Sequence, residues 1–287
     1  MYANGLRILV HGLLPLIAVL AVRGSVTELL YVIGGGWAAL SVAALAVTSM
    51  SLDKPIARAG DLARYSLPRV PGDLLALVLF ALPGIVVAHV ADITFAGEVS
   101  FGIATLGMVA SAVFPAGFVL LPVASRLIAS GSVERLRSQV FGLARVVIGL
   151  IVLAIVVFEV FATPIVTIYL GPAFAGSVTT LRVLMLGALP WGLYISLRSV
   201  IDARHKRPVN ALNVGVAFSV FSILMLTLRV WFDPAAIVVP IFVLSLYVLG
   251  TLTSIEVWRI ARGGPIAAPA GDFALSVAAE EPAEPMV

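Results

Sequence analysis

The sequence predicts an all-α fold: a polytopic transmembrane bundle of about eight helices. Apolar residues make up 61% of the 287 residues, and charged residues make up only 11%. The mean hydropathy is +1.13. A water-soluble core of this size does not need so much apolar surface. In lipid, a chain must bond its own backbone polar groups, and helices do this within a single segment.

The long apolar stretches, each bounded by Gly, Pro or charged residues, give the helices in order. A helix needs roughly 20 apolar residues to cross about 30 Å of hydrocarbon. These stretches are too long and too uniformly apolar for the alternating strands of an outer-membrane barrel. The predicted spans are residues 8–22, 29–48, 74–91, 101–123, 146–162, 181–201, 209–230 and 236–257.

The first of these stretches has two interpretations. It is short, it contains His11 and Pro15, and it follows Arg7, which is also the pattern of a secretory signal peptide. No small-residue cleavage site follows it, and this favours a short or incomplete span.

Basic residues occur in alternate loops. The segments 49–73, 124–145 and 202–208 contain most of the Lys and Arg residues, whereas 92–100 and 163–180 contain none. The positive-inside rule therefore predicts that both termini are cytoplasmic, in a multi-pass protein of the plasma (inner) membrane. The net charge of +3 fits contact with anionic lipid headgroups, and it gives no reason to expect a nucleic-acid partner.

Composition also predicts four parts of the chain. These are two N-terminal transmembrane helices (1–50), a polar cytoplasmic linker (51–73), a six-helix lobe (74–262) and a disordered cytoplasmic tail (263–287).

The linker has the pattern of a short amphipathic helix that lies on the membrane surface. Pro55 suits a first helical turn, and the run YSLPRVPG at residues 65–72 is expected to break the helix before the next span. A plain loop remains the alternative. The apolar face would hold Ile56, Ala59, Leu62 and Ala63, with Arg58, Asp61 and Arg64 outside it.

Four motifs resemble those of polysaccharide flippases, the oligosaccharide-lipid transporters of the multidrug/oligosaccharidyl-lipid/polysaccharide superfamily. They are YSLPRVPG at 65–72, Pro115 with LPVASRL at 121–127, LGPAFAGS at 170–177 and DARHKRP at 202–208. The resemblance covers residues 63–262 and corresponds to the second lobe of such proteins. Family members usually have two pseudo-symmetric lobes, whereas this chain has one lobe and about two further helices.

The resemblance implies transport of a lipid-linked oligosaccharide, a polyprenyl-pyrophosphate glycan, from the cytoplasmic to the outer leaflet. Such a step serves the biosynthesis of polysaccharide or lipopolysaccharide, and it makes and breaks no bond. It therefore implies no enzymatic activity and no cofactor. The implied partners are membrane lipids, the lipid-linked oligosaccharide, polysaccharide-assembly proteins, and a second lobe or second copy that completes the cavity.

Ionisable residues inside spans are the candidate substrate ligands, because their burial in lipid is costly. Arg198 lies about one turn inside the cytoplasmic end of its span and is suited to bind a diphosphate. The alternatives are a pair with Asp202 four residues later, or extension to the interface. Asn210 and Asn213 share a helix face and suit either sugar hydroxyls or interhelical hydrogen bonds. Arg145, at a span end, is a ligand candidate or an interfacial anchor.

Two residues are weaker candidates for proton or ion coupling. Glu159 lies near the outer end of the fifth span, and His89, next to Asp92, closes the third span on the same side. Both also suit hydrated helix ends. Proline removes a helix hydrogen bond and allows bending, so prolines inside spans are candidate flexible points. These are Pro83, Pro115, Pro190 and Pro240.

Three other functions compete with the flippase interpretation. A small-molecule exporter of the same superfamily would need a deep acidic residue, and Glu159 is peripheral. A glycan polymerase or ligase would need a large outer loop with catalytic Arg or His, but the longest outer loop, 163–180, has no cation. A non-transporting scaffold or truncated transporter lobe is the third alternative. No phosphate-binding loop or metalloprotease motif is present, and the absence of cysteine excludes thiolate-bound metals.

Overall fold

The computed structural model describes residues 66–205 and 207–263, and residues 27–28, 31–32, 34–36, 38–39 and 42–43 of an earlier segment. The chain divides into two compact units, Met1–Ala63 and Arg64–Val287. In the first unit the described positions are helical, and the span at 29–48 stays a prediction. The predicted span at 8–22, the amphipathic linker helix and the C-terminal tail lie outside the described residues.

The second unit is built from helices, and its described residues contain no strand. This confirms the all-α prediction. The helices are α1 (Val70–Val90), α2 (Ile93–Ala129), α3 (Val133–Tyr169), α4 (Val178–Leu186), α5 (Ala188–Arg204), α6 (Val209–Leu228) and α7 (Pro234–Ala261). Short 3₁₀ turns, Leu67–Arg69 and Pro172–Ser177, precede α1 and α4.

Six segments of the described chain are long and apolar enough to cross a membrane: α1, α2, α3, the pair α4–α5, α6 and α7. They coincide with the six spans predicted within residues 74–262. The total of about eight spans remains a prediction.

The start of α1 corrects one expectation. The run at 65–72 was expected to end a helix, but Leu67–Arg69 forms a 3₁₀ turn that continues directly into α1 at Val70. Pro68 and Pro71 both lie in first turns, where a missing N–H costs no hydrogen bond. Helical backbone is therefore continuous from Ser66 across both prolines, and the span begins before the predicted position 74.

α2 and α3 extend well beyond the spans predicted for them. Each has 37 residues, or roughly 55 Å at about 1.5 Å per residue. This exceeds the hydrocarbon thickness of about 30 Å. Their ends therefore project beyond the apolar part of the bilayer, where charged residues are tolerated. Hydropathy detected only the apolar middle of each helix.

Two prolines coincide with interruptions of the helices. α3 has non-helical backbone angles at Phe161 (φ −105°, ψ 15°), three residues before Pro164. The span predicted at 181–201 is interrupted at Gly187, three residues before Pro190. Proline has no N–H for the carbonyl four residues earlier and clashes with that turn, which explains both positions. Pro164 was not among the predicted flexible points, whereas Pro83, Pro115 and Pro240 lie within uninterrupted helices.

The interrupted span α4–α5 is the centre of the unit. In its most apolar window 67% of the residues are buried, against 50% or fewer in the other five spans. α5 packs against α2, α3, α6 and α7. Close approach depends on glycine: a Cβ on Gly250 of α7 would lie 2.7 Å from Cβ of Pro190, and one on Gly117 of α2 would lie 2.9 Å from the Ile195 carbonyl oxygen. Small residues at helix contacts are the usual solution in membranes.

Successive spans are joined by short turns and run in opposite directions, so the unit has two ends. We call one of them the basic end; it carries Arg69, Arg126, Arg137, Arg204 and Arg259 near the helix termini. At the opposite end, Tyr169, Trp231 and Phe232 are exposed. Exposed aromatic residues at helix ends are typical of a membrane–water interface.

We predict that Gly250→Ala destabilises the protein by about 1–3 kcal/mol, because the new methyl group would collide with the backbone of Pro190. The matched control is Gly149→Ala on the exposed face of α3, where nothing lies within 4 Å of the new Cβ. The control should be neutral or more stable, since alanine favours helix. Thermal unfolding in mild detergent, followed by circular dichroism, measures both. Equal melting temperatures would contradict the close α5–α7 contact.

Candidate functional site

A cluster of polar side chains joins four helix termini at the basic end. The start of α1, the end of α5, the start of α6 and the end of α7 meet there, and we call this group the polar cluster. Its members are Arg69, Asp73, Tyr194, Arg198, Asp202, His205, Asn210 and Glu256.

Arg198 lies at the centre of the cluster, on a helix whose neighbouring positions are buried. Its Nη2 lies 3.4 Å from Oδ1 of Asp73 in α1. Its Nη1 lies 3.5 Å from the Tyr194 hydroxyl, and its guanidinium is 5.7 Å from the centre of that ring. The predicted phosphate ligand is thus already paired with a carboxylate. The alternative of a pair with Asp202 was wrong in its partner: the carboxylate next to Arg198 is Asp73 of α1, and Asp202 lies next to Arg69.

Arg69 connects the start of α1 to the end of α5. Its Nε is 3.5 Å from Oδ1 of Asp202, and its Nη2 donates to the His205 carbonyl oxygen at 2.9 Å. The side chains of Arg69 and Asp202 are only 16% and 22% exposed. His205 is the C-cap of α5, so Arg69 bonds a carbonyl that the helix itself leaves free. This contact fixes α1 against α5.

His205 also connects α5 to α7. Its Nε2 lies 2.9 Å from Oε1 of Glu256, and Glu256 Oε2 lies 3.6 Å from Nη1 of Arg259. Glu256 is an acidic residue inside the span predicted at 236–257. An acidic residue inside a span usually has a specific partner. The position of Glu256 in the sequence therefore predicts such a contact, although it does not identify His205 as the partner.

Asn210 is buried at the start of α6, and its Nδ2 donates to the Arg198 carbonyl oxygen at 3.0 Å. This is the interhelical hydrogen bond that was one of its two predicted roles. Oδ1 of Asn210 and Nδ2 of Asn213 are buried and have no hydrogen-bond partner among the described residues. Buried polar atoms normally have one. These two atoms on one face of α6, next to Arg198, can therefore form further hydrogen bonds.

The space inside the polar cluster is small. A cavity of about 50 Å³ lies among its residues, next to Gly72 and Ala211. A Cβ on Gly72 would collide with Cβ of Ala211, so α1 and α6 are in close contact there. This volume suits one or two waters. A sugar diphosphate would enter only if α1 moved away from α5 and α6.

The other predicted residues lie elsewhere. Glu159 pairs with Arg182 of α4: Arg182 Nε lies 3.3 Å from Glu159 Oε2, and Arg182 Nη2 donates to the Glu159 carbonyl oxygen at 3.1 Å. His89 Nδ1 donates to the Ile85 carbonyl oxygen at 2.8 Å within the last turn of α1. Asp92 caps α2 by accepting from the Phe95 N–H at 2.9 Å. His89 and Asp92 thus serve as helix-end residues in this structure.

Arg145 is outside the polar cluster. It lines a separate cavity of about 550 Å³ between α3, α5 and α7. In the described part of the chain, no three His, Asp or Glu side chains converge in a way that would hold a metal ion. The structure therefore brings Arg198 and Asn210 together and leaves Arg145, Glu159 and His89 apart from them.

Compared with known proteins, the chain matches no family model, no curated protein and no solved structure. The resemblance to flippases consequently rests on the sequence motifs alone.

We predict that Arg69→Gln destabilises the protein by about 1.5–3 kcal/mol, because it removes the ion pair and leaves Asp202 partly buried without it. The matched control is Arg259→Gln, which breaks a pair whose arginine is 68% exposed and should cost less than about 1 kcal/mol. Thermal unfolding of both variants in the same detergent tests this. A larger effect at Arg259 would contradict the role assigned to Arg69.

Proposed function

We propose that the protein transports a lipid-linked oligosaccharide, a polyprenyl-pyrophosphate glycan, from the cytoplasmic to the outer leaflet. The observation that carries this proposal is the position of Arg198. It is a cation on the most buried span of the unit, and it lies where four helix termini meet. Cations and hydrogen-bond donors held by helix ends are the groups that an anionic headgroup requires. The motif resemblance supplies the glycan and the lipid carrier.

The proposed mechanism starts from the closed polar cluster. Asp73 occupies the position on Arg198 that a diphosphate would take, and the side chain of Asp73 is 62% exposed. An entering diphosphate replaces this carboxylate on the guanidinium, since it offers more acceptor oxygens in the same geometry. The free Asn210 Oδ1 and Asn213 Nδ2 then bind sugar hydroxyls. Separation of α1 from α5 opens the site, and its return expels the headgroup.

The helix interruptions support such a movement. Gly187 and Phe161 each lie three residues before a proline, in the two spans joined by the Glu159–Arg182 pair. Missing backbone hydrogen bonds at these positions lower the cost of bending. A small-cation exporter would need a deep acidic residue, whereas Glu159 is 35% exposed and pairs with Arg182.

The second candidate function is a non-transporting membrane scaffold, or one lobe of a larger transporter. The observation that favours it is the closure of the polar cluster: the charged groups are paired, and the cavity holds only about 50 Å³. In that case Arg198 only stabilises the contact between α1 and α5.

We predict that Arg198→Ala reduces transport by roughly ten- to a hundredfold, the effect of losing a charge-assisted hydrogen bond. The test is complementation of a bacterial strain that lacks its own polysaccharide flippase. Surface glycan and accumulated lipid-linked precursor are measured at equal protein level. Arg198→Lys should retain part of the activity, and Arg259→Ala, which removes an exposed cation from the same end, should retain nearly all of it.

Asp73→Asn distinguishes the two candidate functions. If Asp73 competes with the diphosphate, this variant keeps or increases transport, although it loses the same ion pair as Arg198→Ala. If the pair is only structural, both variants lose stability and activity together. An inserted and stable protein that restores no surface glycan would overturn the transport proposal for this chain acting alone.

A further inference from the structure

An apolar groove lies on the surface of the second unit, between α3, α5 and α7. Its volume is about 550 Å³, and most of its lining is aliphatic or aromatic. Phe141 and Ile148 of α3, Leu189 and Leu197 of α5, and Tyr247 and Trp258 of α7 mark its extent. Trp258 lies in the last turn of α7, so one end of the groove reaches the basic end.

Three arginines lie on α3 and α7 along the part of the groove that leads to the basic end. Arg145 lines it directly and has no ion-pair or hydrogen-bond partner among the described residues. Arg137 lies 5.9 Å from the centre of the Phe141 ring, and Arg262 lies 3.7 Å from the centre of the Trp258 ring. Arg137, Phe141 and Arg145 follow one another at intervals of four residues and so share a face of α3. Within the described part of the chain these cations have no carboxylate partner, unlike Arg69 and Arg198 in the polar cluster.

We propose that this groove binds an anionic phospholipid of the membrane leaflet at the basic end. One hydrocarbon chain lies in the groove, and the phosphate contacts Arg145, with Arg137 and Arg262 nearer the basic end. Guanidinium groups bind phosphate with paired hydrogen bonds, and basic pockets between transmembrane helices are suited to anionic headgroups. The proposal does not depend on the transport function, since it concerns a resident lipid on another face of α5.

The dimensions of the groove favour a lipid chain over a second protein. From Tyr247 to Trp258 the groove follows α7 for roughly 16 Å, at about 1.5 Å per residue. A volume of about 550 Å³ over that length gives a cross-section of roughly 34 Å². A helix with its side chains is about 10–12 Å wide, and its cross-section is more than twice as large. The groove therefore matches the width of a hydrocarbon chain, whereas a helix from a second copy would fill it only with side chains.

The charge distribution favours an anionic headgroup. A zwitterionic lipid would bring its own cation towards three guanidinium groups, whereas an anionic phosphate neutralises them. Thr251 and Ser254 also line the groove and provide hydroxyl groups. These can donate to the ester oxygens of a phospholipid, which an isoprenoid carrier lacks.

The experiment is native mass spectrometry of the full chain, purified in mild detergent, with added phosphatidylglycerol, chain-matched phosphatidylcholine or polyprenyl phosphate. We expect selective retention of one phosphatidylglycerol. Arg145→Gln should reduce its occupancy roughly tenfold. The matched control is Arg135→Gln, which removes an exposed cation of α3 that does not line the groove, and it should retain the lipid. Thr251→Trp fills the groove without changing its charge and should also abolish retention.

Four outcomes would overturn the proposal. Equal retention of both lipids would indicate nonspecific lipid around the protein. Retention that survives Thr251→Trp would place the lipid elsewhere. Selective binding of polyprenyl phosphate in place of phosphatidylglycerol would assign the groove to a lipid carrier. A dimer that dissociates in Thr251→Trp would assign it to a second copy. Melting temperatures of all variants, measured without added lipid, show that each one is folded.

Discussion

Lipid offers a peptide group no hydrogen-bond partner, and the rest of this structure follows from that constraint. The described part of the second unit satisfies it with helices joined by short turns. Apolar burial cannot drive these helices together, because lipid chains are as apolar as leucine. Close packing between the helices must therefore hold them together. The contacts of Gly250 with Pro190 and of Gly117 with Ile195 place backbone against backbone around α5. This is why the most buried span is also the one approached by glycines.

The same constraint explains the positions of the ion pairs. An isolated charge near lipid is costly, so each cation of the polar cluster has a partner from another helix. Arg69 and Arg198 bind carboxylates on opposite sides of the contact between α1 and α5. The two pairs have opposite polarity: α1 supplies the cation in the pair with Asp202 and the anion in the pair with Arg198. Such an arrangement fixes the axial register of the two helices, since a shift of either helix would break both pairs.

Sequence alone predicted much of this fold and less of the site. The apolar runs at 74–91 and 209–230 are nearly the full helices α1 and α6, because these spans contain little beyond the hydrocarbon-facing part. The predictions for α2 and α3 were too short, since hydropathy does not detect helix that continues into water. The interruption at Gly187 was missed because the residues on both sides of it are apolar and hydropathy joins them into one span, although Pro190 was recognised as a flexible point. Arg198 was identified from its depth, but its partner Asp73 is 125 residues away. No local pattern specifies a pair at that separation.

The two groups of arginines differ in what an anionic ligand would have to displace. In the polar cluster a phosphate must replace Asp73 on Arg198, and α1 must also move, because the cavity holds only about 50 Å³. At the groove between α3, α5 and α7, Arg145 has no internal partner among the described residues, and about 550 Å³ is already open. Binding in the cluster is therefore coupled to a movement between helices, whereas binding in the groove requires none. Only the first arrangement can link recognition of a ligand to a change of conformation. A lipid in the groove would instead stabilise the contact between α5 and α7 and leave the opening of the cluster to α1.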